Sequence, residues 1–265
     1  QSLTDTKAFK GRGTAQVLRQ LAHAGVKVER RAWGPAEAAG ASPSLLLLTA
    51  PVPDGLAAQA AERGGIASRA ILTAIRHFGP DRARKTAICA AETAGDWVTG
   101  LGIGGAEDAG NLRDFAWSYD CAREAGLGLT AHAGEWGGPD TIRDALSLGV
   151  TRIGHGIRAA EDAGLLRELA ARQVTLEVCP GSNVALGAVA GWAAHPIARI
   201  LDAGVRVTVS TDDPPFFHTN LSHEYQMLAD HFGWSGDDFR QMNLWAVDAA
   251  FCDEDTKTRL RKDLA

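Results

Sequence analysis

No apolar run in the 265 residues approaches the roughly 20 that a membrane-spanning helix needs; the four leucines Leu45–Leu48 and their neighbours are the longest candidate. There is no C-x-x-C pair. The four cysteines, Cys89, Cys121, Cys179 and Cys252, lie far apart, which fits neither a disulfide framework nor a cysteine zinc site. There is no surplus of positive charge. With 27 basic and 32 acidic side chains the net charge is −5, so nothing advertises a nucleic-acid surface. The amino end has no basic start leading into an apolar core, so a cytoplasmic location is expected. The chain begins at Gln1 rather than Met, and a fragment or processed chain is one expectation. Hydrophobic residues at 45% and charged residues at 22% exclude a disordered or fibrous protein.

What is present is a rhythm. From about residue 66, short apolar runs alternate with helical patterns. The runs Ala70–Ile75, Trp97–Ile103, Leu127–Ala131, Thr151–Ile153, Val174–Val178 and Val205–Val209 read as strands, apolar through both faces. Between them, Leu112, Phe115, Ala116 and Tyr119 recur at helical spacing, as do Leu165, Leu166, Leu169 and Ala170, then Ile197, Ile200 and Leu201. Such alternation predicts an α/β fold with a parallel sheet, either doubly wound or closed into a barrel. The glycine-rich run Gly100–Gly105 has the wrong spacing for a dinucleotide fingerprint. Ser235 and Asp238 suggest a capping box before a C-terminal helix.

Residues 1–65 differ. The first 40 carry seven basic and three acidic side chains, net +4, against −9 for the rest. Thr14–Ala24 reads as a helix, Val26–Arg30 and Ser44–Thr49 as strands, and Leu56–Arg63 as a helix. The division expected is therefore an atypical segment over 1–65 and an α/β unit over 66–265.

Polar residues fall at the ends of the late strands. His132 and Glu135 follow the run at Leu127, His155 follows Thr151–Ile153, and Asp212-Asp213 follow Val205–Val209. Active sites of parallel α/β folds lie at the carboxyl ends of their strands. Singly, each has an ordinary explanation: a strand-end histidine usually faces solvent, Glu135 suits the first turn of a helix, and Asp212 suits an N-cap. Two adjacent aspartates repel, and a nearby cation would relieve them. Their joint occurrence at successive strand ends points to one site.

From about Ile66 onward the chain resembles the adenosine deaminase family of metal-dependent barrel hydrolases. The resemblance rests on His132-Ala133-Gly134-Glu135, Gly154-His155-Gly156, Val178-Cys179-Pro180-Gly181-Ser182-Asn183 and Ser210-Thr211-Asp212-Asp213-Pro214. Ile75-Arg76-His77 and Glu224-Tyr225-Gln226-Met227 also fit. It implies a (β/α)8 TIM-type barrel, with the six strands as strands three to eight and the first two atypical or incomplete. It implies one Zn²⁺ per chain, with His132 and Asp212 as metal ligands. Glu135 would carry a proton to purine N1, and His155 would orient the attacking hydroxide. Asp213 would bond purine N7, and Gly105 would present its N–H to N3. The implied reaction is hydrolytic deamination of a small-molecule purine nucleoside, adenosine first, with adenine or another 6-aminopurine open. It needs Glu135 as a neutral acid, so a raised pKa is expected there. The cysteine positions exclude the P-C-x-x-C class of base deaminases.

One family feature is missing. Members carry a His-x-His pair at the end of the first barrel strand, supplying two zinc ligands, and this chain has none. His23 is the one histidine in residues 1–65. His77 and His195 lie after strands, and His218 and His223 after the last strand, but an ordinary structural role is the stronger reading for all four, and the family carries His77 and His195 as non-ligands. Three protein ligands are usual at a catalytic zinc, so two would bind it weakly. The competing expectation is a catalytically silent, metal-poor barrel that binds a purine or a partner subunit. For residues 1–65 the expectations are a degenerate start, a fragment or frame-shifted stretch, or substitute strands that close the barrel.

Overall fold

The computed structural model describes residues 69–264, together with strands at 27–32 and 44–49. The helices expected at Thr14–Ala24 and Leu56–Arg63, and His23, lie outside the described residues. The chain divides into two units, Gln1–Ser68 and Arg69–Ala265. In the first, β1 (Lys27–Ala32) and β2 (Ser44–Thr49) pair antiparallel, from Lys27 opposite Thr49 to Ala32 opposite Ser44. Neighbouring strands of a (β/α)8 barrel are parallel, so this pair does not reproduce the first two barrel strands.

In the second unit, β3 (Ala70–Ile75), α1 (Pro80–Glu92), β4 (Val98–Gly104), α2 (Ala116–Glu124), β5 (Gly128–Ala133), α3 (Pro139–Ser147), β6 (Arg152–His155) and α4 (Ala163–Ala171) alternate. Then come β7 (Thr175–Val178), α5 (Pro180–Ala185), α6 (Ile197–Asp202) and β8 (Arg206–Val209). The chain closes with α7 (Pro214–Phe217), α8 (Leu221–Phe232), α9 (Gly236–Ala249) and α10 (Glu254–Asp263). The six strands lie in sequence order, all parallel. This is the order of strands three to eight of the expected barrel, and it brings every strand's carboxyl end to one rim.

Local chemistry starts several of the helices. Pro139 occupies the first turn of α3, where its missing N–H costs nothing. Asp162 accepts from the N–H groups of Gly164 (2.8 Å) and Leu165 (2.9 Å) at the start of α4. Ser235 and Asp238 form the reciprocal capping box of α9. The core lies between helices and sheet: Ile142, Leu165, Leu169, Leu176, Ile197 and Ile200 are fully buried there.

The strands are not uniformly apolar. Burial alternates along β5 and β6, and the less buried positions are polar or small: Thr130, His132, Arg152 and Gly154. Across this face Arg152 Nε lies 3.3 Å from Glu177 Oε1, and Thr130 Oγ1 donates to Glu177 Oε2 at 3.3 Å. Such a polar face is what a site requires. Among the described residues no helix is long and apolar enough to cross a membrane.

Candidate active site

Strand register brings the two motif histidines together. His132 is opposite Gly154 and Ala133 is opposite His155. The imidazole centroids of His132 and His155 lie 4.6 Å apart, tilted by 57°. Two residues at this rim have the left-handed backbone that side chains rarely adopt, His155 at φ 62° and Asp212 at φ 56°. Each such residue costs of the order of 1–3 kcal/mol and persists only where its surroundings hold it.

Glu135 is not on a helix, since α3 begins at Pro139. It sits in the turn after β5, and a buried carboxylate that the sequence reading missed shapes this turn. Glu107 accepts from the backbone N–H groups of Gly134 (3.0 Å), Glu135 (2.9 Å) and Gly137 (2.8 Å). Its Oε1 also lies 3.1 Å from His132 Nδ1, an ion-pair distance at an angle too bent for a good hydrogen bond. Burial pushes the Glu107 carboxyl up, but His132 and the backbone donors outweigh it and hold the group at about 2. Arg76, itself buried, ties the rim together by donating to the carbonyls of Glu107 (3.0 Å) and His132 (2.7 Å). The signal for Glu107 was available: like Asp212 it is a polar residue just past a strand end.

With Nδ1 facing Glu107, His132 turns Nε2 toward Glu135 Oε2, 3.5 Å away. Asn183 on α5 donates to Glu135 Oε1 at 2.9 Å and lies 3.2 Å from His155 Nδ1. His155 Nε2 is 4.0 Å from Asp212 Oδ2, which accepts from Ser182 Oγ at 2.6 Å. His132, Glu135, His155 and Asp212 thus form one linked constellation. Gly105 follows β4 with φ 95°, and a Cβ there would fall 2.9 Å from His77 Nδ1. Asp213 directly precedes α7. Burial, then the neighbouring Asp212 charge, raises the Asp213 carboxyl.

The charges differ from expectation in one respect. Burial raises the Glu135 carboxyl, but His132, His155 and the Asn183 amide together pull it below its ordinary value, not above it. Donors surround it, and donors favour the carboxylate. His155 is lowered, first by burial. His132 is opposed by burial yet raised to about 9 by its two carboxylate neighbours.

Among the described residues, two groups have donor atoms close enough to hold a cation: His132 with Glu135 and His155, and His155 with Cys179 and Asp212. Imidazole nitrogen and carboxylate oxygen are zinc-type donors, and a carboxylate behind the histidine, as Glu107 is behind His132, is the usual support of a metal-bound ring. The expected ligands His132 and Asp212 fall in different groups, which share His155. His195 is buried and bonded to Asn183, so it is not a replacement ligand. A concavity of about 570 Å³, lined by residues that include Asp96, Gly128, Phe251 and Lys257, contains none of these residues.

The family model described as adenosine deaminase matches residues 19–265. The chain belongs to the adenosine deaminase family. An adenine deaminase of Rhizobium leguminosarum bv. trifolii is 48% identical over 203 residues, 76% of this chain and 63% of that protein. The crystal structure of adenine deaminase from Arthrobacter aurescens superposes with a TM-score of 0.73 at 32% identity, covering 78% of this chain and 63% of the other. An amidohydrolase from Burkhoderia ambifaria with bound Zn superposes with a TM-score of 0.73 at 31% identity, covering 78% and 58%. The chain therefore spans a little under two thirds of the length of these relatives.

Proposed function

We propose that the unit over residues 66–265 is the catalytic part of a purine aminohydrolase, replacing the 6-amino group of a 6-aminopurine by oxygen and releasing ammonia. The convergence of His132, Glu135, His155 and Asp212 at one rim carries the reading. Relatives named adenine deaminase at 48% identity make the free base adenine the first substrate to test, with adenosine second. His132 Nε2 and Asp212 would hold the zinc; bound there, it would make hydroxide available near neutral pH by lowering the pKa of water to about 7.

The chain's own residues have separate tasks. Glu135 faces the site with Oε2 and is placed to pass a proton to N1 of the ring. That transfer needs the carboxyl to be protonated as substrate displaces solvent, because its surrounding donors hold it ionised in the free protein. His155, buried and lowered, acts as a neutral hydrogen-bonding group. Asp213 would accept from or donate to N7, and the Gly105 N–H would reach N3. The separated cysteines, all free thiols, suit a reducing cytoplasm.

One observation favours a second reading, a silent barrel that binds a purine or a partner subunit: the chain has no His-x-His pair, so two of the expected zinc ligands are absent. The test is metal analysis of the purified protein together with the ultraviolet change on adding adenine or adenosine. Bound zinc and turnover abolished by Glu135→Gln are expected. Zinc-free protein that stays inactive after zinc is added would overturn the deaminase reading in favour of the second.

A further inference from the structure

Asn183 and His195 lie behind the groups that face the reaction, and their hydrogen bonds run in one direction only. The backbone N–H of Ile197 points at His195 Nδ1 at 3.2 Å. A backbone N–H can only donate, so Nδ1 must accept. His195 is 3% exposed, and burial lowers it to about 4, so it is neutral near pH 7 with its proton on Nε2. That Nε2–H lies 3.3 Å from Asn183 Oδ1. The Asn183 amide is thereby oriented, because the flipped amide would set its NH₂ against another donor.

Asn183 is fully buried, away from bulk solvent. Its two amide protons are spent on Glu135 Oε1 at 2.9 Å and His155 Nδ1 at 3.2 Å. The second acceptor is then constrained in turn. His155 Nδ1 must carry a lone pair, which puts the His155 proton on Nε2, the nitrogen facing Asp212. Glu135 Oε1, the other acceptor, also lies 3.5 Å from His155 Nδ1, farther than the amide nitrogen.

We infer that Asn183, oriented by His195, is a positioning residue that fixes His155 as its Nε2–H tautomer. What these groups do for a substrate rests on the deaminase reading; the chain of donors and acceptors does not. Starting at a main-chain N–H, it converts a backbone position into a defined proton arrangement at the reaction site. A merely structural asparagine would satisfy its bonds without dictating a neighbour's tautomer.

Nitrogen NMR of ¹⁵N-histidine-labelled protein tests this on the intact chain without added substrate. The unprotonated-nitrogen signal of both His155 and His195 is expected at Nδ1. In Asn183→Leu, which removes the amide donor and leaves Glu135 Oε1 3.5 Å from His155 Nδ1, His155 is expected to gain a proton on Nδ1. An Nδ1–H tautomer of His155 in the unaltered protein would overturn the inference, and that measurement needs no variant to fold. So would an unchanged His155 tautomer in a folded Asn183→Leu protein. Adenine turnover is measured on the same sample: an Nε2–H His155 without turnover supports the inference while the deaminase reading fails, and an Nδ1–H His155 with turnover does the reverse.

Discussion

Replacing Glu107 by glutamine removes a charge that three backbone donors and one imidazole share. Burial works against that charge, and the donors overcome it by enough to take the carboxyl from 4.5 to about 2. At roughly 1.4 kcal/mol per tenfold change, this amounts to about 3 kcal/mol in favour of the folded state. Glutamine keeps one acceptor oxygen but turns an NH₂ toward N–H donors, so we predict a loss of about 2–4 kcal/mol at pH 7. Urea unfolding reads it as a lower midpoint at unchanged slope. The pH dependence gives a second check. The folded pKa lies below the unfolded one, so the contribution is complete above about 4.5 and is lost as pH falls through about 2. The gap between the two proteins must therefore narrow over that window. The amides of Gly134, Glu135 and Gly137 should also lose protection from hydrogen exchange. A Glu107→Gln protein within about 0.5 kcal/mol of the original at pH 7, or a gap that persists to pH 2, would refute the reasoning.

Three further outcomes are expected. His195, held at about 4 by burial, binds its proton less readily folded than unfolded, so its contribution is complete above pH 6.5 and lost as pH falls from 6.5 through 4. That loss approaches about 3 kcal/mol, and His195→Gln should flatten this part of a stability-against-pH curve. Gly181 donates its N–H to the fully buried Glu224 carboxylate at 2.8 Å, and a methyl group there would overlap that carboxylate; Gly181→Ala should cost about 1–3 kcal/mol in thermal or urea unfolding. Gly105→Ala meets both a positive φ and the His77 ring, so it should lower stability by about 1–3 kcal/mol, and a neutral result would show that the rim relaxes freely there.

Most of the second unit's architecture was legible because strand and helix periods are local properties. Ala70–Ile75 was placed without error, and the other five strands to within two residues at each end, since a buried parallel strand needs an unbroken apolar run between two breakers. The alternation in β5 and β6 was not seen, because Thr130, His132 and Arg152 sit among residues that read as uniformly apolar. The pairing of β1 with β2 was beyond reach for another reason. Partner choice is a long-range property, and nothing within Lys27–Ala32 or Ser44–Thr49 distinguishes an antiparallel neighbour from a parallel one.

By itself the sequence determined the motif residues, the strands that carry them, and the absence of a His-x-His pair. These follow from residue identity and spacing alone. Only the tertiary structure decided how those residues act on one another. It brought Glu107 under His132 across the gap between β4 and β5, and it reversed the expected direction of the Glu135 pKa by surrounding that carboxylate with donors. It also drew Asn183 and His195, absent from the predicted site, into contact with Glu135 and His155. The physical reason is that hydrogen-bond direction and charge stabilisation depend on distances of about 3 Å between groups far apart in the chain. Composition and periodicity carry no record of those distances.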